Sequence, residues 1–293
     1  MKTIKLLLFV AIIALICGCE PNENLIKEPK PPVEEPAKDC EDELDLFDTE
    51  TEEEPVDSAY LVYYSDRLEA MGMLRPKGSY NYPVYPGTEE WKHFQTGEEM
   101  DEACQVPLDI LSTMSTQALL QAIWEFPLIF WIFHRSQYQS GFESYFFKNN
   151  AYNELITRQD AGSCILKRLY LLNPALNMNA KTVSNCFELL MSQPVFLSQL
   201  NDCQKKQLIK ITFKNDSLRD VSKEVSNSDK MVVYLLIGRT LINANYMPFM
   251  ECVNEDATLK QFFEDKYRTY FYNENIVQII TLYAENYLNN NKK

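Results

Sequence analysis

Near the end of the chain the apolar side chains keep a helical beat: Ile276, Ile279, Ile280, Tyr283, Tyr287 and Leu288 stand at i, i+3, i+4, i+7, i+11 and i+12. Side chains at these intervals share one stripe of an α-helix but would scatter over both faces of a strand, so the spacing selects helix. It recurs at Val183, Cys186, Phe187 and Leu190, and at Ile165, Leu169 and Leu172. Glycine is scarce, with eight in 293 residues, and turn-rich alternating runs of the kind that build sheets are hard to find. The pattern predicts an all-α body.

Helix starts are legible as well. Thr96 precedes Gly97-Glu98-Glu99, the arrangement of a capping box, in which side chains satisfy the free amides of a first turn. Ser115-Thr116 opens "QALLQAIWEF", Asp160 stands ready to cap "AGSCILKRLYLL", and Asn173-Pro174 closes that run. Three stretches read as helix, proline, then a short apolar continuation; their prolines are Pro127, Pro194 and Pro248. Proline suits the first turn of a new helix, where its missing donor is not needed. The echo predicts an array of antiparallel helix pairs, α-solenoid-like; an irregular bundle punctuated by the same prolines is the alternative. "FPLIFWIF" at 126–133 is apolar on all sides, which predicts a buried central helix. Ahead of the array, Pro83 and Pro86 hold an extended segment, Gly87 turns it, and Thr88 caps a short helix carrying Trp91.

The first residues have a different logic. Lys2 and Lys5 precede an apolar block from Leu6 to Ile16, too short for the roughly 20 residues of a spanning helix. A basic start, a short apolar core and small residues at its end describe a signal peptide, here residues 1–18. Of Cys17 and Cys19, only Cys19 follows a small residue, Gly18. Ile16-Cys17-Gly18-Cys19 resembles a bacterial lipobox, which implies that Cys19 is acylated and anchors the mature chain firmly in a membrane, since more than one acyl chain is attached. Glu20 and Glu23 resemble the acidic export signal of Bacteroidetes lipoproteins, which implies the outer membrane, with the cell surface favoured over the periplasmic face.

The formal charge of −14 is concentrated: residues 20–57 hold 16 Asp/Glu against three Lys. Residues 19–57 form a Pro/Glu-rich stretch that cannot bury enough apolar surface to offset its ordering entropy, so it reads as a disordered linker. A coil of this length spans roughly 35 Å, more where like charges and prolines stretch it. The acidity therefore belongs to the linker, and residues 58–293, the helical domain, are nearly balanced. No basic patch suited to nucleic acid is visible. Asp57-Ser58-Ala59 and Asp216-Ser217-Leu218 resemble the short O-glycosylation acceptor of Bacteroidetes, and Ser58, in the linker, is the favoured position.

Tyr80-Asn81-Tyr82-Pro83-Val84, Pro86-Gly87-Thr88, Trp91 and Ala103-Cys104-Gln105 together resemble a segment shared by uncharacterised secreted proteins and lipoproteins of gut Bacteroidetes. The resemblance implies an address and an architecture and supplies no catalytic residue.

Familiar catalytic spacings are missing from the sequence. Histidine is limited to His93 and His134, no HExxH or paired CxxC occurs, and "AGSCI" around Ser163 is not a nucleophile elbow. No catalytic residue, metal site or cofactor is expected. Beyond Cys17 and Cys19 lie Cys40, Cys104, Cys164, Cys186, Cys203 and Cys252, an even set that an exported protein could bridge; buried thiols are favoured, since Cys164 and Cys186 sit on apolar helix faces and Cys40 lies in the linker, with Cys186–Cys203 the first pair to consider for a bridge. Tyr80, Tyr82, Tyr85 and Trp91 are candidate ligand contacts, since exposed aromatics stack on glycans; alternatively they staple the extended segment to the helices. The expectation is a lipid-anchored, non-catalytic binding or scaffold module for an envelope protein or glycan. The alternative is a glycan-active hydrolase whose carboxylates only the fold brings together.

Overall fold

Among the residues described by the computed structural model (60, 64, 75–134, 138–220, 227–264 and 272–289) every regular element is helical and no strand occurs. All of them fall in one unit of the chain, Cys40–Lys293; the other unit, Met1–Asp39, lies outside the described residues, as do Cys19, Ser58 and most of the linker.

The helices are α1 (Gly97–Ala103), α2 (Leu108–Leu111), α3 (Thr116–Trp124), α4 (Tyr138–Phe146), α5 (Asn150–Leu155), α6 (Ala161–Leu171) and α7 (Met178–Met191). They continue with α8 (Pro194–Leu197), α9 (Asp202–Asp220), α10 (Asn227–Asn243), α11 (Met247–Glu255), α12 (Ala257–Glu264) and α13 (Glu274–Asn289). Two 3-10 segments, Glu90–His93 and Ile129–His134, complete the set.

Boundaries follow the local chemistry. At α1 the capping box forms in both directions: Glu99 N–H donates to Thr96 Oγ1 at 3.2 Å, and Thr96 N–H to Glu99 Oε2 at 3.3 Å. Ser115 Oγ accepts from Ala118 N–H at 3.1 Å to start α3. Asp160 occupies the N-cap of α6 but makes no capping bond there; its Oδ1 accepts instead from the Thr116 hydroxyl at 2.7 Å, pinning the starts of α3 and α6 together. Pro194 and Pro248 both sit in first turns, of α8 and α11. Pro127 does not open an α-helix: the residues after it form the 3-10 segment Ile129–His134.

That segment corrects the expectation of a central helix at 126–133. With three residues per turn, Ile129 and Ile132 share a buried face, while Trp131 turns outward and is 39% exposed. The stretches buried on every side lie elsewhere. In α3 every residue from Ala118 to Trp124 is buried, and in α10 Met231 to Ile237 are. α10 packs against α7, α8, α9, α11 and α13; α7 packs in turn against α4, α6, α8 and the 129–134 segment, and α6 against α3 and α9. Each buried Leu, Ile or Phe here contributes about 1.5–3 kcal/mol of transfer free energy.

Two buried polar systems run through this core. At the C-terminal end of α3, Glu125 is enclosed and accepts four hydrogen bonds. Arg75 forks onto both oxygens (Nε to Oε1 and Nη2 to Oε2, each 2.7 Å), while the Tyr60 hydroxyl and Gln121 Nε2 donate at 2.9 and 2.8 Å. Arg168, on α6, extends the chain by donating to Gln121 Oε1 at 2.7 Å and to the Gln117 carbonyl at 3.0 Å; burial lowers its guanidinium pKa to about 10. The second system joins α7, α9 and α10. Arg219 pairs with Glu188 at 2.7 Å and also bonds Ser184; Asn185 and Lys181 both reach Asp229, at 2.6 and 3.1 Å. Burial pushes the Glu188 carboxyl above its ordinary range, against the pull of Arg219.

The cysteines divide unevenly. Cys104 and Cys186 are buried thiols and Cys164 and Cys252 half-buried ones. Cys203 is disulfide-bonded, which corrects its reading as a thiol, and because Cys186 is a thiol the two are not joined to each other. Cys40 lies outside the described residues.

Candidate functional site

The extended segment reaches the core through its tyrosines. Tyr82 is enclosed, with its hydroxyl donating to the Ala122 carbonyl of α3 at 3.0 Å. Tyr80 meets it edge-on at 5.1 Å, and Tyr85 stands edge-on to Tyr60 at 5.6 Å. Tyr80 and Tyr85 are half-buried against the core. Gly87, at φ 108°, makes the turn that closes with Thr88 N–H on the Tyr85 carbonyl at 3.0 Å. Trp91 is half-buried and pairs edge-on with Phe94 at 5.8 Å. Of the four expected ligand contacts, then, Tyr82 corrects to a core residue: its ring has no surface to offer and its hydroxyl is spent on the backbone. Tyr80 and Tyr85 join it in one aromatic cluster, and Trp91 stands with a different partner. His93 is exposed, its Nδ1 at 2.7 Å from the Glu89 carbonyl.

A cavity of about 290 Å³ opens elsewhere, between α1, the 129–134 segment and α4. One wall is Trp131, and Tyr145 meets it edge-on at 6.2 Å and 70°. Buried Leu128 supports the floor. α1 contributes Glu98 and Asp101 to the lining, three positions apart and thus on one face of that helix. Lys148, beyond the end of α4, donates to Asp101 Oδ2 at 3.1 Å, and that bond raises the pKa of its ammonium. Ser144, which also lines the cavity, gives its proton to the Ser140 carbonyl at 2.8 Å, so its hydroxyl oxygen meets other groups as an acceptor.

The groove owes its shape to a close approach. Gly141 of α4 lies against the backbone of Ile132, so close that a Cβ at 141 would collide with the Ile132 carbonyl. Trp131 and Tyr145 each lie within four residues of that contact, which fixes the separation of their rings. Sequence reasoning missed the groove because a tryptophan in an all-apolar run reads as core; the three-residue period of a 3-10 segment was the signal that separates Trp131 from Ile129 and Ile132.

A second, more open cavity of about 460 Å³ is lined by Glu251, Glu255 and Asp256 with Tyr283, whose phenol pKa is raised by its hydrogen bond to Cys252. Among the described residues no set of three or more His, Cys, Asp or Glu side chains is disposed to hold a metal ion. Nor is any helix among them long and apolar enough to cross a membrane. No protein-family model, curated protein or solved structure matches the chain.

Proposed function

We propose that this chain is a lipid-anchored envelope protein of the outer membrane, presented at the cell surface on its acidic linker, and that its helical body is a binding or scaffold module for an envelope protein or glycan. The observation that carries this reading is the groove at Trp131: open to solvent and lined by two aromatics together with a hydrogen-bonded charge pair. That mixture of apolar wall and few oriented polar groups is what a recognition site needs. The hydrolase alternative draws less support from the same place. A glycosidase sets two carboxyl groups across the scissile bond from one another, whereas Glu98 and Asp101 share one seven-residue helix and one face of it.

An array of antiparallel pairs is the architecture we propose for the body. It is supported by α6 packing on α7 and α9 on α10 while α6 also meets α9 and α7 meets α10, so that one pair lies on the next.

Affinity capture from intact cells with the full lipidated chain tests the function, run beside Trp131→Ala and a variant in the second cavity, Glu251→Gln. The reading expects a partner held by the parent chain and by Glu251→Gln and lost by Trp131→Ala. Hydrolysis of a polysaccharide by the purified chain would overturn it.

A further inference from the structure

Resting on that reading, we infer that the groove between α1, the 129–134 segment and α4 is a saccharide subsite, and that its ligand is an uncharged pyranose unit of a glycan.

The polar and apolar parts of the lining have to be satisfied by one molecule. Trp131 presents 39% of its surface, and an aromatic face is best covered by a flat array of C–H groups. The lining also holds a donor and an acceptor together, Lys148 Nζ and Asp101 Oδ2 at 3.1 Å. Both keep unused capacity: the ammonium has three donors and the carboxylate several lone-pair sites. Adjacent hydroxyls on a sugar ring match that pair, one accepting from Lys148 and the other donating to Asp101, and Ser144 can accept from a third. A purely apolar ligand would strip water from these groups and return nothing. A sugar replaces each lost water contact while its C–H face covers the indole.

Charge narrows the class further. Lys148 already neutralises Asp101, and Glu98 adds one more carboxylate to the rim. An acidic sugar would be repelled by Glu98, and an amine would have to share the site with the Lys148 ammonium. The volume of about 290 Å³ sits at the lower end of small-ligand sites, which fits one ring and excludes a long enclosed cleft.

The test is titration of the full chain in detergent, followed by tryptophan fluorescence and calorimetry. The probes are methyl β-glucoside, methyl β-galactoside, methyl α-mannoside and N-acetylglucosamine, with glucuronate and glucosamine as charged counterparts. At least one neutral probe is expected to saturate at a Kd on the order of 1–10 mM. Trp131→Ala and Lys148→Met should each weaken it by roughly tenfold or more. Lys148 is 61% exposed, so its replacement tests the site even where the tryptophan variant fails to fold. Tighter binding of glucuronate or glucosamine, no neutral probe bound at about 50 mM, or affinity indifferent to both variants would overturn the inference. A captured envelope protein lost with Trp131→Ala, while no saccharide binds, would overturn the sugar and leave the binding module standing. Capture indifferent to Trp131→Ala, with no saccharide bound, would remove both.

Discussion

Arg219 and Glu188 show how much one side chain can decide in this core. Both are enclosed, and they face each other at 2.7 Å beside Asp216 and Asp229. Removing one member of such a pair strands the other, whereas replacing both with apolar groups removes the desolvation cost together with the attraction. Arg219→Met should therefore lower stability by about 3–5 kcal/mol, and adding Glu188→Leu should restore most of it; denaturant unfolding of the two variants checks the difference. Cys104 gives a pH prediction. Burial raises its thiol from 9.0 to about 12. The unfolded chain thus ionises first, unfolding releases a proton, and stability falls as pH rises from 9 toward 12, by at most about 1.4 kcal/mol per pH unit. Cys104→Ala should flatten that slope relative to the parent in alkaline melts; an unchanged slope would mean that the thiol is more accessible than its packing indicates.

Among the elements, α4 and the 129–134 segment form the junction on which the groove depends. Exchanging glycine for alanine inside a helix ordinarily stabilises by about 1 kcal/mol. At Gly141 the sign should invert, because the new methyl meets the Ile132 carbonyl. Gly141→Ala is expected to cost about 1–3 kcal/mol, visible as a lower Tm, and to shift Trp131 fluorescence as the rings part. Thr96→Ala, which removes one half of the capping box, should cost about 1 kcal/mol at α1. The capping box, the Ser115 cap and the first-turn prolines Pro194 and Pro248 were legible because each is a signal carried within four residues. The Glu125 cluster was not, since it joins Tyr60, Arg75 and, through Gln121, Arg168, partners 43 to 65 positions from Glu125 in sequence. For the same reason the tyrosines at 80–85 could be read either as ligand contacts or as staples, and only the packing of Tyr82 under α3 decides its own case.

On the scale of the molecule, α10 is the hub and α1 the periphery. α10 meets five other helices, while α1 has no buried residue. Amide exchange should be slowest along Met231–Ile237 and fastest, among the helices, at α1, because protection follows enclosure. The anchoring proposal has its own whole-chain test: Cys19→Ala should move the protein from the membrane fraction to the soluble one, and the mass of the parent's N-terminal peptide should carry acyl chains. Helical class was readable at this scale because periodicity repeats over many turns. Which helices become the innermost was not, because α3 and α10 are distinguished by how many neighbours cover them, a property of the assembled body.

Tyr60 is the first of the described residues, and its hydroxyl rests on Glu125, itself gripped by Arg75 and coupled through Gln121 to Arg168. A pull applied from the N-terminal side loads this clamp, and it also reaches the start of α9 through the Cys203 disulfide, since the cysteines that could complete that bond all precede Tyr60. At the clamp the load is shared between α3 and α6 across several charge-assisted bonds, so force from that side is divided between two helices rather than borne by one.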